Sequence, residues 1–295
     1  MPMQRKFTPK QVAQALGVSE SSIKRWVDGG KVEAVKTAGG HRKLPLAAVV
    51  KMAREQGYQI VRPEVLGLAA EHTKVRIDQA QDPLVEALAA GDESASQAII
   101  EPLYHAGHSM IEIADVVIAP VFHEIGYRWE RGELSVYQER RACEIAVATL
   151  HNLRRMLPLP DAGAPRAIAT TPDCDHSELP VRLSELVLRE KGWDAKVLGI
   201  ALPLEEIRAA VELNPPEIAL LSVTHVDNPA GFVAEANHEL LVPTKRLTKW
   251  IVGGQVFDET LQRTLDCYHF SHSMAELSDL ADKYLSEFHD REKLA

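Results

Sequence analysis

The chain has 295 residues, an average apolar share of 45%, an ordinary charged share of 25% and a formal net charge of −9. That length holds two or three domains and that composition builds packed cores, which excludes a disordered or fibrous chain. No apolar run approaches the roughly 18 to 20 residues that a membrane helix needs, and Met1–Lys10 lacks the apolar core of a signal peptide, so the reading is a cytoplasmic protein with no membrane partner.

The three cysteines, Cys143, Cys174 and Cys267, are an odd number at wide spacing, which is neither a disulfide framework nor a structural zinc site. The charge is unevenly placed. Residues 1–57 carry eleven Lys/Arg against four Asp/Glu, a net of +7, so the remainder carries −16. A basic head on an acidic body suggests that the head alone meets a polyanion.

In chain order, Thr8 with Gln11 forms a capping-box start, and Val12, Ala15 and Leu16 mark an apolar helical stripe that Gly17 ends. Ser19 caps a second helix, with Ile23 and Trp26 turned inward, and Gly29-Gly30 stops it. Short β-like stretches at Val32–Lys36 and Arg42–Leu44 flank the turn Thr37–Gly40, and Pro45 opens a third helix through Arg54. Two short helices around a tight glycine turn are the helix-turn-helix signature, whose second helix lies in a major groove. There Ser21, Ser22, Lys24 and Arg25 reach bases or phosphates, while Gly40, His41, Arg42 and Lys43 form a basic wing with a small tip.

The stretch "FTPKQVAQALGVSESSIKRWVDGGKVEAVKTAGGHRKL" resembles the DNA-binding domains of the MerR and excisionase families across the whole head. The resemblance implies a winged helix-turn-helix over residues 1–58 and a double-stranded DNA operator as partner. The long antiparallel dimerisation helix of typical MerR proteins does not follow. Residues 59–79 read as a linker with one short helix.

Residues 80–160 read as four helices, Pro83–Ala90, Glu93–Ala106, Met110–Arg131 and Val136–Met156, punctuated by glycines: a four-helix bundle. Residues 161–295 alternate strands (Arg166–Thr171, Asp194–Leu198, Glu217–Val223, Leu247–Val252, Tyr268–Phe270) with helical stretches, including Pro180–Lys191, Ala230–Leu241 and Met274–Phe288. That pattern predicts a parallel, doubly wound sheet, with ligands outside the carboxyl ends of the strands. The fold class is thus multidomain α and α/β. The loops placed at those ends are Pro172–Leu179, Ser222–Asn228 and Gly253–Phe257.

A bundle followed by a flavodoxin-like domain, with "GHSMIEIADVVIAPVFHEIGYRWERGELSVYQERRA", Ser222-Val223-Thr224 and Gly253-Gly254, resembles the cobalamin-binding module of methionine synthase and of CarH/LitR-type light-dependent repressors. The resemblance implies cobalamin, in its adenosyl, methyl or hydroxo form. It implies His176 as lower cobalt ligand, the hydroxyls of Ser222 and Thr224 on the nucleotide tail, and Gly253 and Gly254 giving close backbone approach. Trp129 and Glu139 line the upper face. The pattern is broken at three places: Cys174 stands two before His176 where the family has an acid, Leu179 stands where it has glycine, and Arg140 replaces the upper-face histidine. A metal-bound imidazole ordinarily donates its second N–H to a carboxylate, a role left here to Asp173 or Asp175. Arginine has no free lone pair and cannot replace the histidine as a ligand.

The leading reading is a DNA-binding transcriptional regulator whose tetrapyrrole-binding half sets its oligomeric state, dimer or tetramer, and its operator binding. The alternative keeps the regulator but gives it a repurposed or empty pocket, for heme with Cys174 ligating the iron, a bilin attached to Cys174 as a thioether, another small molecule, or assembly only. A corrinoid-dependent methyltransferase component is the remote third reading. No substrate domain is present, and His105, His108, His123 and His151 lack a His-Glu-x-x-His spacing, so catalysis is not expected.

Overall fold

A computed structural model describes residues 6–36, 40, 42–55, 58, 60, 62–66 and 76–294. The chain divides into two compact units, one of residues 1–145 with 155–158 and the other of 146–154 with 159–295.

The head begins with β1 (Lys6–Phe7), which sequence patterning does not reveal, and continues through α1 (Pro9–Leu16), α2 (Glu20–Asp28), β2 (Val35–Lys36), β3 (Arg42–Pro45) and α3 (Leu46–Glu55). The capping box is formed: the Gln11 N–H donates to Thr8 Oγ1 at 3.2 Å and the Thr8 N–H to Gln11 Oε1 at 2.9 Å. Gly17 closes α1 at φ +66°, a left-handed conformation that glycine adopts without steric cost. β3 pairs with both β1 and β2, antiparallel, so the wing is anchored to the N-terminal strand. Val12, Ala15, Leu16, Ile23, Leu44 and Val49 make the core. Leu66, in a short 3-10 turn at Pro63–Leu66, is fully buried in it, and the Arg62 N–H donates to the Ala15 carbonyl. This part of the stretch read as a linker packs on the head; residues 67–75 lie outside the described residues.

The bundle comprises α4 (Gln81–Ala90), α5 (Glu93–His105), α6 (Met110–Glu112), α7 (Ala119–Glu130) and α8 (Val136–Met156). The stretch expected as one helix at 110–131 contains a π segment at Ile113–Ile118. Pro120 explains it: without an N–H it cannot bond the carbonyl four residues back, at Val116. Gln81 Nε2 donates to that carbonyl instead, at 2.6 Å.

The α/β domain runs β4 (Arg166–Pro172), α9 (Glu178–Glu190), β5 (Asp194–Leu202), α10 (Leu204–Leu213), β6 (Ile218–Ser222), α11 (Pro229–Ala236), α12 (Val242–Thr244), β7 (Lys249–Gly253), α13 (Glu259–Gln262), β8 (His269–Ser271) and α14 (Met274–Leu294). The sheet is parallel throughout, in the order β5-β4-β6-β7-β8. This doubly wound arrangement is the fold class read from the β/α alternation. Apolar cores cover both faces, one around Trp250, Leu221 and Phe232 and the other around Trp193, Leu188 and Ile218. Pro243 repeats the effect of Pro120: a π segment at Asn237–Leu241 precedes it, and Arg208 Nη1 donates to the freed Glu239 carbonyl at 3.1 Å.

Within the second unit, the buried Glu185 carboxylate of α9 receives Arg154 Nε of α8 at 2.5 Å, Arg189 Nε at 3.2 Å and Arg182 at 3.5 Å. A carboxylate this buried is tolerable only when paired, so the Arg154 end of α8 is fastened to α9.

Candidate functional site

On the head, α2 is positioned from beneath by the fully buried Ile23 and by Trp26, half-buried and 5.0 Å from the Tyr58 ring. Its outer face shows Ser21, Lys24 and Arg25, whereas Ser22 is half-buried. Both serine hydroxyls hydrogen-bond the Ser19 cap, at 2.8 and 2.9 Å, and so order the first turn. The basic residues divide in two. Lys24 pairs with Glu20 at 2.8 Å and Arg42 pairs with Asp28 at 2.5 Å. Arg25 and Lys43 have no carboxylate partner among the described residues. Gly40 is exposed at φ +76° with open space where a Cβ would lie. His41 lies outside the described residues.

In the α/β domain the strand order reverses at β4, between β5 and β6, so the carboxyl ends of β4 and β6 flank the switch point at which such sheets take ligands. The loops after these two strands carry His176, Ser222 and Thr224. His176 is exposed, and its ring has no partner among the described residues. Asp175, assigned from sequence as a group that could orient it, does something else. It is 1% exposed, and its carboxylate accepts from the Ser177 N–H at 2.8 Å, from the Thr224 N–H and from the His225 N–H at 3.4 Å. It therefore ties the β4 loop to the β6 loop across the switch point. Asp173 is exposed.

Two threonines not singled out in the sequence complete this lock. Thr171 Oγ1 donates to the Asp175 carbonyl at 2.6 Å and accepts the Ala201 N–H at 2.8 Å, while Thr170 Oγ1 donates to the Gly199 carbonyl at 3.0 Å. Ala201 itself stands at φ +52°, unusual for a residue with a Cβ. A Thr-Thr pair closing a strand before a polar loop is the available sequence signal, and it is a weak one.

The glycine pair serves the protein's own backbone. Ser222 and Gly253 are in register, and the Val223 N–H donates to the Gly253 carbonyl at 2.8 Å. Gly254 has φ +137°, and a Cβ there would lie 1.8 Å from the Val223 carbonyl oxygen. Only glycine fits.

Cys174 is exposed, with its thiol held above the ordinary range by what burial it has and by the neighbouring Asp173, which disfavours the thiolate that a thioether attachment needs. Leu179 sits half-buried in the first turn of α9. On the bundle, Trp129 is 45% exposed near the end of α7. Glu139 is half-buried, accepts the Cys143 thiol at 3.4 Å and lies 3.5 Å from Arg140, whose guanidinium is exposed. Burial, then the Glu139 charge, pushes the Cys143 thiol up to about 12.

Among the described residues no group of three or more His, Cys, Asp or Glu could hold a metal ion. One exposed imidazole suits a metal that brings its other ligands with it in a macrocycle, and hydroxyls at Ser222 and Thr224 on the neighbouring loop suit a polar appendage of it. In that limited sense the donor set fits a corrinoid. No helix among the described residues is long and apolar enough to cross a membrane.

Residues 7–57 match the family model of a helix-turn-helix domain, and residues 80–153 match that of a B12 binding domain. The chain is 26% identical to the HTH-type transcriptional repressor CarH of Myxococcus xanthus over 242 residues, covering 75% of this chain and 80% of that one. It is 21% identical to the HTH-type transcriptional repressor CarA of the same organism over 234 residues, covering 76% and 79%. In fold it is similar to a monomethylamine corrinoid protein from Methanosarcina barkeri, with a TM-score of 0.58 and 16% identity, over 70% of this chain and 99% of that one. The fold and these matches define a class, the helix-turn-helix regulators. Within it, this chain is one that carries a B12-binding module.

Proposed function

We propose that the chain is a transcriptional repressor whose operator binding responds to a cobalamin held by its C-terminal half. The observation that carries the reading is the exposed His176 imidazole at the switch point of the parallel sheet, which, like Arg25 and Lys43 of the head, has no charged or hydrogen-bonding side-chain partner among the described residues. Repression is taken from the names of the Myxococcus relatives.

His176 would hold the cobalt, Ser222 and Thr224 the nucleotide tail, and Gly253 and Gly254 would shape the wall beside it. Cobalamin would supply a cobalt centre whose visible spectrum would change with the group that binds it. The chain's own part is to present a neutral imidazole, which is a competent ligand, and to hold the loop that bears it through Asp175. Arg140 offers no lone pair to a metal, so it would not replace the upper-face histidine of the resembled family as a ligand. Ligand occupancy, acting on how the acidic 80–290 module pairs the heads as dimers or tetramers, is the control we infer.

The test is purification with adenosyl-, methyl- and hydroxocobalamin, in dark and light, with visible spectra and operator binding recorded for each. Retained corrinoid with a spectrum altered by His176→Ala supports the reading. No corrinoid retained in any form sinks it, and leaves a regulator whose switch point, bridged by Asp175, serves another ligand or assembly alone.

A further inference from the structure

We propose that Asp28 is a positioning residue for DNA recognition: it grips Arg42 and so fixes the angle between the wing and the recognition helix. The proposal rests on the DNA-binding reading of the head.

Asp28 is the last residue of α2, where exposed carbonyls make a carboxylate unfavourable. A residue placed against the helix dipole needs a compensating partner, and Arg42 is that partner. One guanidinium nitrogen lies 2.5 Å from one Asp28 oxygen and the other 3.4 Å from the second, the forked geometry that distinguishes a directional arginine pair from a loose ion contact. Arg42 is drawn in turn toward the negative end of the helix.

Arg42 opens β3 and faces Lys36 of β2 across the wing. Among the described residues no backbone hydrogen bond joins α2 to β2 or β3, so this pair is a direct polar tie between the reading helix and the wing. Lys43 follows Arg42 on the same strand and lacks a carboxylate partner among the described residues. Alternation along a strand turns successive side chains to opposite faces. With Arg42 held against α2, Lys43 is turned away from it, in a fixed place relative to Arg25. Arg42 therefore acts through geometry, and Arg25 and Lys43 carry the phosphate contacts.

The experiment uses the full chain and a duplex enriched from a random library by the unaltered protein, with binding measured by fluorescence anisotropy at several salt concentrations. Asp28→Asn is expected to weaken binding to the enriched duplex roughly tenfold, the effect of one charge-assisted pair. Binding to a scrambled duplex and the salt slope are expected to stay near their original values. Arg42→Lys, which keeps the charge and loses the fork, is expected to behave like Asp28→Asn. The exchanged pair, Asp28→Arg with Arg42→Asp, is expected to recover most of the lost affinity. If Arg42 instead contacts phosphate, Asp28→Asn tightens binding and steepens the salt slope by about one, Arg42→Lys retains affinity, and the exchange rescues nothing; any of these overturns the proposal. Melting temperatures of the variants identify loss through unfolding, in which case Arg42→Lys and the exchanged pair decide. Failure of the unaltered chain to enrich any duplex removes the DNA-binding reading itself and this inference with it.

Discussion

At the wing of the head, Gly40 stands at φ +76° with nothing near the position of a Cβ, and the cations Arg25 and Lys43 have no carboxylate partner among the described residues. At the carboxyl end of the α/β sheet, Gly254 lies hard against the Val223 backbone, and Asp175 is buried with its oxygens directed at three amides. Both regions carry residues that a motif would nominate for a partner. On the head, Arg25 and Lys43 have no carboxylate partner among the described residues, whereas Ser21, Ser22, Lys24 and Arg42 are engaged within the head. On the sheet Asp175 and Gly254 already serve the protein's own backbone, while the His176 ring has no partner among the described residues. A surface that binds an extended polyanion must keep its charges outward, whereas two loops that meet at a switch point must first be held together.

The contrast can be broken most severely at Gly254. Gly254→Ala places a methyl group 1.8 Å from a carbonyl oxygen in a conformation L-residues avoid, and a loss of about 4 kcal/mol or more is expected by chemical denaturation, confined to the α/β domain. Asp175→Asn should cost about 3 kcal/mol, because an NH2 group then faces amide donors in a buried site. Amide exchange at Ser177, Thr224 and His225 should accelerate. Unchanged exchange would show that the two loops are held by something other than this carboxylate.

On the head the expected effects fall on binding. Arg25→Ala should lower the salt slope of DNA binding by about one and leave the melting temperature within a degree or two. A drop in stability without a change of slope would place Arg25 in the structure and remove the contrast. Gly40→Ala should cost only about 1 kcal/mol, the ordinary penalty for a left-handed residue in open space. The smallest effect concerns the bundle. The Cys143 thiol is raised from 9.0 to about 12 in the folded state, so its contribution is complete below pH 9 and is lost as pH rises from there toward 12. Cys143→Ala should flatten that alkaline decline in a pH series of thermal melts.

Much of the fold was legible from local rules. The Thr8/Gln11 box, the Gly17 and Gly91 helix ends and the period-3.6 stripes located the helices because capping and periodicity are contained within a few neighbouring residues. The π segments before Pro120 and Pro243 were not read, although the prolines were visible. What a proline does inside a helix depends on whether some remote donor reaches the freed carbonyl, here Gln81 and Arg208. The candidate site divides in the same way. His176, Ser222, Thr224 and Gly254 could be named from the family resemblance. The turning of Asp175 away from the imidazole, and the grip of Asp28 on Arg42, join residues 49 and 14 positions apart.

By itself, then, the sequence determined the helix-turn-helix head, the bundle and the β/α alternation, since short-range hydrogen bonding and hydrophobic period decide those. Only the tertiary structure decided which polar residues were left over. A carboxylate or guanidinium takes whichever partner the fold brings within about 3 Å, and that distance is set by strand order and loop packing, which no local pattern contains. Asp175 beside Thr224, Asp28 against Arg42 and His176 with its ring free all follow from that.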